Sequence, residues 1–221
     1  MQLSLPVQLP VEKHFDNWIV GENDQLVAQL RHSVEQLQEP QATPYNQFFI
    51  HARHGSGKSH FLIALCHYAQ QSALDSYYLS LSALDTLQPE LLEGFSQIPL
   101  LCIDDLDAVK HNRVWQIALF DLINQRREWG TGVTIFAASE NIVSTPNWFE
   151  LADLHSRLQW GTTFHLHQLD GESKKELLSK LAEDRGMKFS EVAINFILNH
   201  CERSTQHLVD VIERLDRRSL E

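Results

Sequence analysis

Ala52-Arg53-His54-Gly55-Ser56-Gly57-Lys58-Ser59 is the stretch whose reading decides the fold. It matches G-x-x-x-x-G-K-[ST], with Ala52 where the first glycine usually stands. A predicted strand precedes it and a predicted helix follows it, so the amides of Gly55 to Ser59 can face phosphate oxygens at a helix N-terminus. Gly55 and Gly57 allow φ angles and a closeness of approach that a Cβ would block. Lys58 offers a point charge to the β- and γ-phosphates, and the Ser59 hydroxyl can hold Mg²⁺.

A loop of this kind needs a carboxylate at the end of a nearby buried strand. Leu100-Leu101-Cys102-Ile103-Asp104-Asp105 supplies one. Asp104 is predicted to bind Mg²⁺ through water and Asp105 to orient an attacking water. Around these two motifs, short apolar runs alternate with helical periods, the grammar of a parallel sheet with crossover helices. Strands are predicted at Gln47–Ala52, Ser76–Leu81, Leu100–Asp104, Val133–Ala138 and Thr163–Leu166, each buried on both faces. Helices are predicted at Gly21–Glu39, Lys58–Ser72, Ser82–Gly94, Asn112–Trp129 and Asn147–Leu158. In the fourth of these, Val114, Ile117, Ala118 and Phe120 recur at helical spacing. After Gln168 the pattern becomes three amphipathic helices, Glu172–Arg185, Ser190–His200 and Ser204–Arg218, an all-helical appendage with Ser190 and Ser204 as N-caps.

Composition narrows the partners. The 221 residues carry 18 Lys and Arg against 29 Asp and Glu, a net charge of −11, which argues against autonomous binding to a phosphate backbone. No apolar run approaches the ~20 residues of a membrane helix. The N-terminus lacks the basic and apolar regions of a signal peptide, so the chain is expected in the cytoplasm. Cys66, Cys102 and Cys201 form no C-x-x-C pair and read as reduced packing thiols. His51, His54, His60 and His67 fall on a strand, a turn and a helix, and with His165 and His167 they show no ligand spacing for a metal.

Three further runs bear on the nucleotide. Phe15-Asp16-Asn17-Trp18-Ile19-Val20-Gly21-Glu22-Asn23 joins aromatic and aliphatic surface to amide groups, as an adenine pocket needs. Ser139 ends a buried strand where it can touch a γ-phosphate or attacking water, and Ser156-Arg157-Leu158 puts an arginine at a helix end. Together these motifs resemble the AAA+ ATPases of the bacterial initiator clade, DnaA and its relatives, over nearly the whole chain. The resemblance implies an α/β AAA+ P-loop NTPase with a five-stranded parallel sheet over residues 11–168 and a helical lid over 169–221. It implies nucleotide contacts from Phe15, Asn17, Trp18, Val20, His54, Gly55, Ser56, Gly57, Lys58, Ser59 and His60, with Mg²⁺ on Ser59 and Asp104. Ser139 falls at sensor 1, Arg157 at the arginine finger, and Gln206 where a lid arginine, sensor 2, is usual, with Arg203 the nearest cation upstream. Without that cation, intrinsic hydrolysis is expected to be weak and the bound nucleotide to be structural: ADP, or ATP or another nucleoside diphosphate.

Residues 1–10 form a separate unit. Gln2-Leu3-Ser4-Leu5-Pro6 resembles the peptide that docks in the apolar cleft of the DNA polymerase III β sliding clamp. A clamp peptide on an initiator-like core with no basic DNA-binding domain after the lid resembles the regulatory inactivators within that clade. The resemblance implies a negative regulator of replication initiation that meets DNA only through the clamp. It would stimulate hydrolysis on ATP-bound DnaA, with Arg157 as the finger, and could self-associate through the same surface. A helicase loader, or an adaptor whose nucleotide site only stabilises the fold, is the alternative.

Overall fold

The computed structural model describes residues 9–10, 13–39, 44–201 and 204–219. Gln2 to Pro6 and Arg203 lie outside them. Five parallel strands, β1 (Asn46–His51), β2 (Ser76–Ser80), β3 (Leu100–Asp104), β4 (Val133–Ala138) and β5 (Thr162–His165), assemble in the order β2-β3-β4-β1-β5. α1 (Asp24–Gln36) precedes β1, and crossovers run through α2 (Lys58–Gln71), α3 (Arg113–Trp129) and α4 (Ala152–Leu158).

Strand alternation divides the core. Phe48 and Ile50 of β1, Leu100 and Cys102 of β3, and Val133, Ile135 and Ala137 of β4 pack with α1 and α2 on one face. Phe49, Leu101, Ile103 and Phe136 point to the other face, against α3 and α4. Central β1, β3 and β4 therefore fit the expected two-sided burial, whereas edge strands β2 and β5 are only partly covered.

Three expectations are corrected. The helix expected over Ser82–Gly94 is two short 3-10 segments, Leu81–Thr86 and Pro89–Phe95. Pro89 cannot donate into a preceding turn, and Ala83 departs from helical angles. The helix expected from Asn147 begins only at Ala152, because Asn147 has a φ of +58°. On α3 the buried stripe is Trp115, Leu119, Leu122, Ile123 and Arg126, while Val114 and Ile117 are exposed; the larger Trp115 and Leu119 set which side turns inward.

Arg126 is fully buried with no carboxylate partner among the described residues. It donates to Thr134 Oγ1 at 2.6 Å and to the carbonyls of Phe95 at 2.6 Å, Ile98 at 2.8 Å and Val133 at 3.2 Å. It thereby ties α3 to β4 and to the turn before β3, and burial lowers its pKa to about 10.

The appendage consists of α5 (Gly171–Glu183), α6 (Glu191–His200) and α7 (Thr205–Ser219), with its own core of Leu178, Ile194, Ile197, Leu208 and Ile212. Ser190 caps α6 through Ala193 N–H, and the Ser204 hydroxyl accepts from His207 N–H. At the other end of the chain, Leu9 is buried among the α1 and α2 residues. The Pro10 carbonyl beside it is 3.1 Å from His67 Nε2 on α2.

Candidate nucleotide site

A cavity of about 780 Å³ opens between the sheet end and the lid. Its floor is the loop before α2, where Gly55 and Gly57 have φ of +73° and +96°. A Cβ on Gly57 would stand 3.1 Å from the Trp18 indole, so the loop is held under an aromatic ring that only glycine admits. His54, Ser56, Lys58, Ser59 and His60 also face the cavity. Lys58 Nζ donates to the Ala52 carbonyl at 2.7 Å. Burial lowers its pKa, while Asp104, Asp107 and Asp105 pull it back up.

Behind the loop, Asp104 is wholly buried at the end of β3. Burial raises its pKa and Asp105 adds to the rise; the Ser59 and Tyr78 hydroxyls and the Asp105 amide counter it. The Tyr78 hydroxyl donates at 2.9 Å and the Asp105 N–H at 2.8 Å. A buried carboxylate beside the Ser59 hydroxyl is a donor set suited to a hard divalent cation. Asp105 takes a left-handed φ of +57°, lines the cavity and accepts from the Ser80 hydroxyl at 2.6 Å.

Asn17 and Trp18 line the cavity. The 3-10 turn Phe15–Asn17 is fixed from within: Asn17 Oδ1 accepts from His14 N–H at 3.0 Å and lies 3.1 Å from His60 Nε2, which is also 3.2 Å from the His14 carbonyl. Both neighbours of that nitrogen are acceptors, so the His60 proton belongs on Nε2. Burial holds its pKa down to about 4. Ile19, with Leu169 and Leu177 of the lid, forms an apolar cluster at the cavity edge.

Three residues expected at this site lie off its lining. Phe15 turns to the back of its segment, edge-on to Phe61 and Tyr68 and under Arg31, because that apolar face of α2 buries more of the ring. Val20 is not on the lining; its carbonyl accepts from Asn23 in a tight turn. Ser139 is also off the lining, with N–H and hydroxyl both bound to Asp107. Arg157, expected to act on a nucleotide held by another molecule, is in the last turn of α4 and off this lining. Its guanidinium carbon lies 3.9 Å from the Trp160 ring centre and 5.5 Å from that of Phe120. Among the described residues it has no ion pair.

Gln206 does reach the cavity and donates to Asp210 on its own helix. The cation nearest in kind to the absent lid arginine is Arg185, just past α5 on the lining, where it donates to the Leu181 carbonyl. In sequence it reads only as a base complementing a helix end. Asn23, the last residue of the run read as an adenine pocket, is on the lining and buried, and it binds His167 twice, accepting its N–H at 2.7 Å and donating to its carbonyl at 3.1 Å. It thus clips α1 to the segment leading into the lid.

Trp18 Nε1 and Ser56 Oγ, both on the lining, are buried without a hydrogen-bond partner among the described residues. Orphan donors, a glycine cradle, a half-desolvated lysine and an apolar edge together fit a nucleotide diphosphate. The profile of the bacterial DnaA ATPase domain matches residues 9–165, most of the chain. The chain belongs to the bacterial DnaA ATPase family. A second profile, the Hda lid domain, matches residues 171–221, so this DnaA-clade AAA+ protein is Hda-like.

The fold agrees with solved members of the wider AAA+ class. Domain III of Thermotoga maritima DnaA is 22% identical at a TM-score of 0.78, over 96% of this chain and 90% of that one. AMPPCP-bound DnaA from Aquifex aeolicus is 19% identical at 0.71, over 96% and 71%. The Thermotoga maritima RuvB branch migration motor is 14% identical at 0.66, over 95% and 65%. The AAA+ sheet and helical lid expected from the residues are therefore the fold of this chain. No helix among the described residues is long and apolar enough to cross a membrane.

Proposed function

We propose that this chain is a negative regulator of replication initiation that stimulates hydrolysis of ATP bound to DnaA, leaving the initiator in its ADP form. The observation that carries the reading is the placement of Arg157. Its guanidinium is remote from the chain's own nucleotide cavity and unneutralised by any described carboxylate, so its charge is available to a phosphate on another molecule. An arginine supplied in trans stabilises charge on a transferring phosphoryl group and is worth ~10³ to 10⁵ in rate. The Hda-like lid and the DnaA-like core support the same role in replication.

The chain's own cavity serves as a structural site in this reading. The amides of Gly55 to Ser59 and the Lys58 ammonium would hold the phosphates of ADP, Ser59 and Asp104 would hold Mg²⁺, and Trp18 and Ile19 would border the base. A bound diphosphate supplies the negative charge and acceptors that these donors are arranged to meet. Gln206 and Arg185 then join core to lid across the ligand, which makes the nucleotide a brace between the two parts. Residues 2–6 would dock on the β sliding clamp, confining the activity to clamp-bearing DNA.

The test is ATP hydrolysis by purified DnaA with this protein alone and then with DNA-loaded clamp. Clamp-dependent stimulation by the wild type, lost in Arg157→Ala while clamp binding persists, is the expected result. Absence of wild-type stimulation would overturn the reading in favour of a loader. Full stimulation by Arg157→Ala would favour an adaptor.

A further inference from the structure

Trp160 is half exposed, yet both faces of its indole are occupied. The guanidinium carbons of Arg157 and Arg127 stand 3.9 Å and 3.8 Å from the ring centre. Two planar cations so close to one centre fit only on opposite faces. A solvated tryptophan with a cation on each side adds little to the core, so its position asks for another explanation.

The surroundings of Arg157 supply it. Its backbone is fixed: the Gln47 side-chain amide donates to the carbonyls of Arg157 at 2.8 Å and Leu158 at 3.3 Å, and Trp160 N–H donates to the Arg157 carbonyl at 3.2 Å. Gly161 lets the turn lie against β1, where a Cβ would come within 2.4 Å of the Gln47 carbonyl oxygen. The side chain is held differently. Among the described residues, Arg157 Nε is buried without a hydrogen-bond partner and no carboxylate pairs with the guanidinium. What directs it is the cleft between the Phe120 and Trp160 rings.

We infer that Trp160 is a positioning residue for Arg157, orienting the guanidinium through its ring face while leaving charge and donors unspent; this rests on the finger reading above. A carboxylate in the same place would orient the arginine equally well but would neutralise it and compete with the incoming phosphate. An aromatic face directs a cation without offering an acceptor. Arg127 on the opposite face sets the tilt of the indole and adds positive potential to the surface that meets the partner.

The experiment measures DnaA ATP hydrolysis against concentration of the full-length chain on DNA-loaded clamp, for wild type, Trp160→Ala, Trp160→Phe and Arg157→Ala. Arginine side-chain NMR spectra of the same proteins accompany it, with Arg127→Ala to assign the two stacked guanidiniums. Trp160→Ala should lower the plateau rate between about 3- and 30-fold, the range set by losing one face-on cation–aromatic contact, with half-saturation unchanged. Trp160→Phe, which keeps a smaller ring, should recover most of the loss. The upfield ring-current shift of the Arg157 side chain should vanish in Trp160→Ala and persist in Arg127→Ala. A wild-type plateau for Trp160→Ala, or a raised half-saturation with the plateau intact, would overturn the positioning role while leaving the finger reading standing. A wild-type rate from Arg157→Ala would remove the finger reading and this role with it.

Discussion

The carboxylate of Asp107 accepts both the backbone N–H and the hydroxyl of Ser139, at 2.7 and 2.5 Å. Two donors from one residue on one carboxylate lock the end of β4 to the turn after β3, and they commit the hydroxyl expected to sense a γ-phosphate. Asp107→Ala should cost about 1–2 kcal/mol, because it strips a charged acceptor from both donors. Ser139→Ala should cost less, and the double variant no more than Asp107→Ala. Urea unfolding of the three proteins checks this; additive losses would show that the pair does not act as a unit.

Gly57→Ala places a methyl against the Trp18 indole at a φ of +96°. Strain of about 1–3 kcal/mol is expected. Borne by the bound conformation, it weakens binding of a fluorescent ADP analogue by roughly tenfold or more. Gly55→Ala meets nothing nearer than 3.7 Å and should weaken it less. Equal effects would mean that the indole does not cap the loop.

His60 makes stability depend on pH in a stated direction. Its folded pKa of about 4 lies below the ordinary 6.5, so between those values the unfolded chain binds the extra proton. Stability attributable to His60 is complete above pH 6.5 and falls by roughly 2–3 kcal/mol as pH drops to 4. In His60→Gln the urea midpoint should lose that part of its acid dependence, leaving what His51, His155 and His165, also lowered by burial, contribute.

Asp104 has the opposite character. Its folded pKa is raised, so the fold is destabilised as pH rises through the window above 3.8 where the native state would retain the proton. Asp104→Asn removes that penalty and should leave the nucleotide-free protein as stable as wild type or about 1 kcal/mol more so. It should also abolish any Mg²⁺-dependent gain in nucleotide affinity. Calorimetry with and without Mg²⁺ reads both, and a retained gain would place the cation elsewhere.

Arg126→Ala should cost about 3–5 kcal/mol, because three buried carbonyls and the Thr134 hydroxyl lose their shared donor and a cavity opens. Far-UV circular dichroism with urea titration checks it. A cost under about 1 kcal/mol would mean that water replaces the guanidinium.

The central strands and the phosphate loop were legible because their signals are local: four consecutive apolar residues, or glycines at fixed offsets from a lysine. What escaped reading depends on distant partners. Asn23 means little until His167, 144 residues away, is beside it. Arg126 looked like an ordinary base in a last helical turn, since the carbonyls it serves lie before β3 and in β4. Phe15 illustrates the same limit in reverse, for an aromatic residue beside an adenine-like motif has two faces available and only the packing of α2 chooses between them. Trp160 and Arg157 are three residues apart, yet the ring that completes their cleft, Phe120, comes from another helix.

The anchoring of Leu9 and Pro10 on α2 governs how far the body can stray from whatever grips residues 2–6. Two residues, Val7 and Gln8, separate Pro6 from Leu9, three Cα steps with a contour of at most ~11 Å. A clamp holding that peptide would carry this protein on a short leash rather than a long line. Its reach would be a few side-chain lengths, the local concentration of Arg157 beside clamp-bound DNA would be high, and initiator bound farther along the duplex would be out of range until the clamp slid to it.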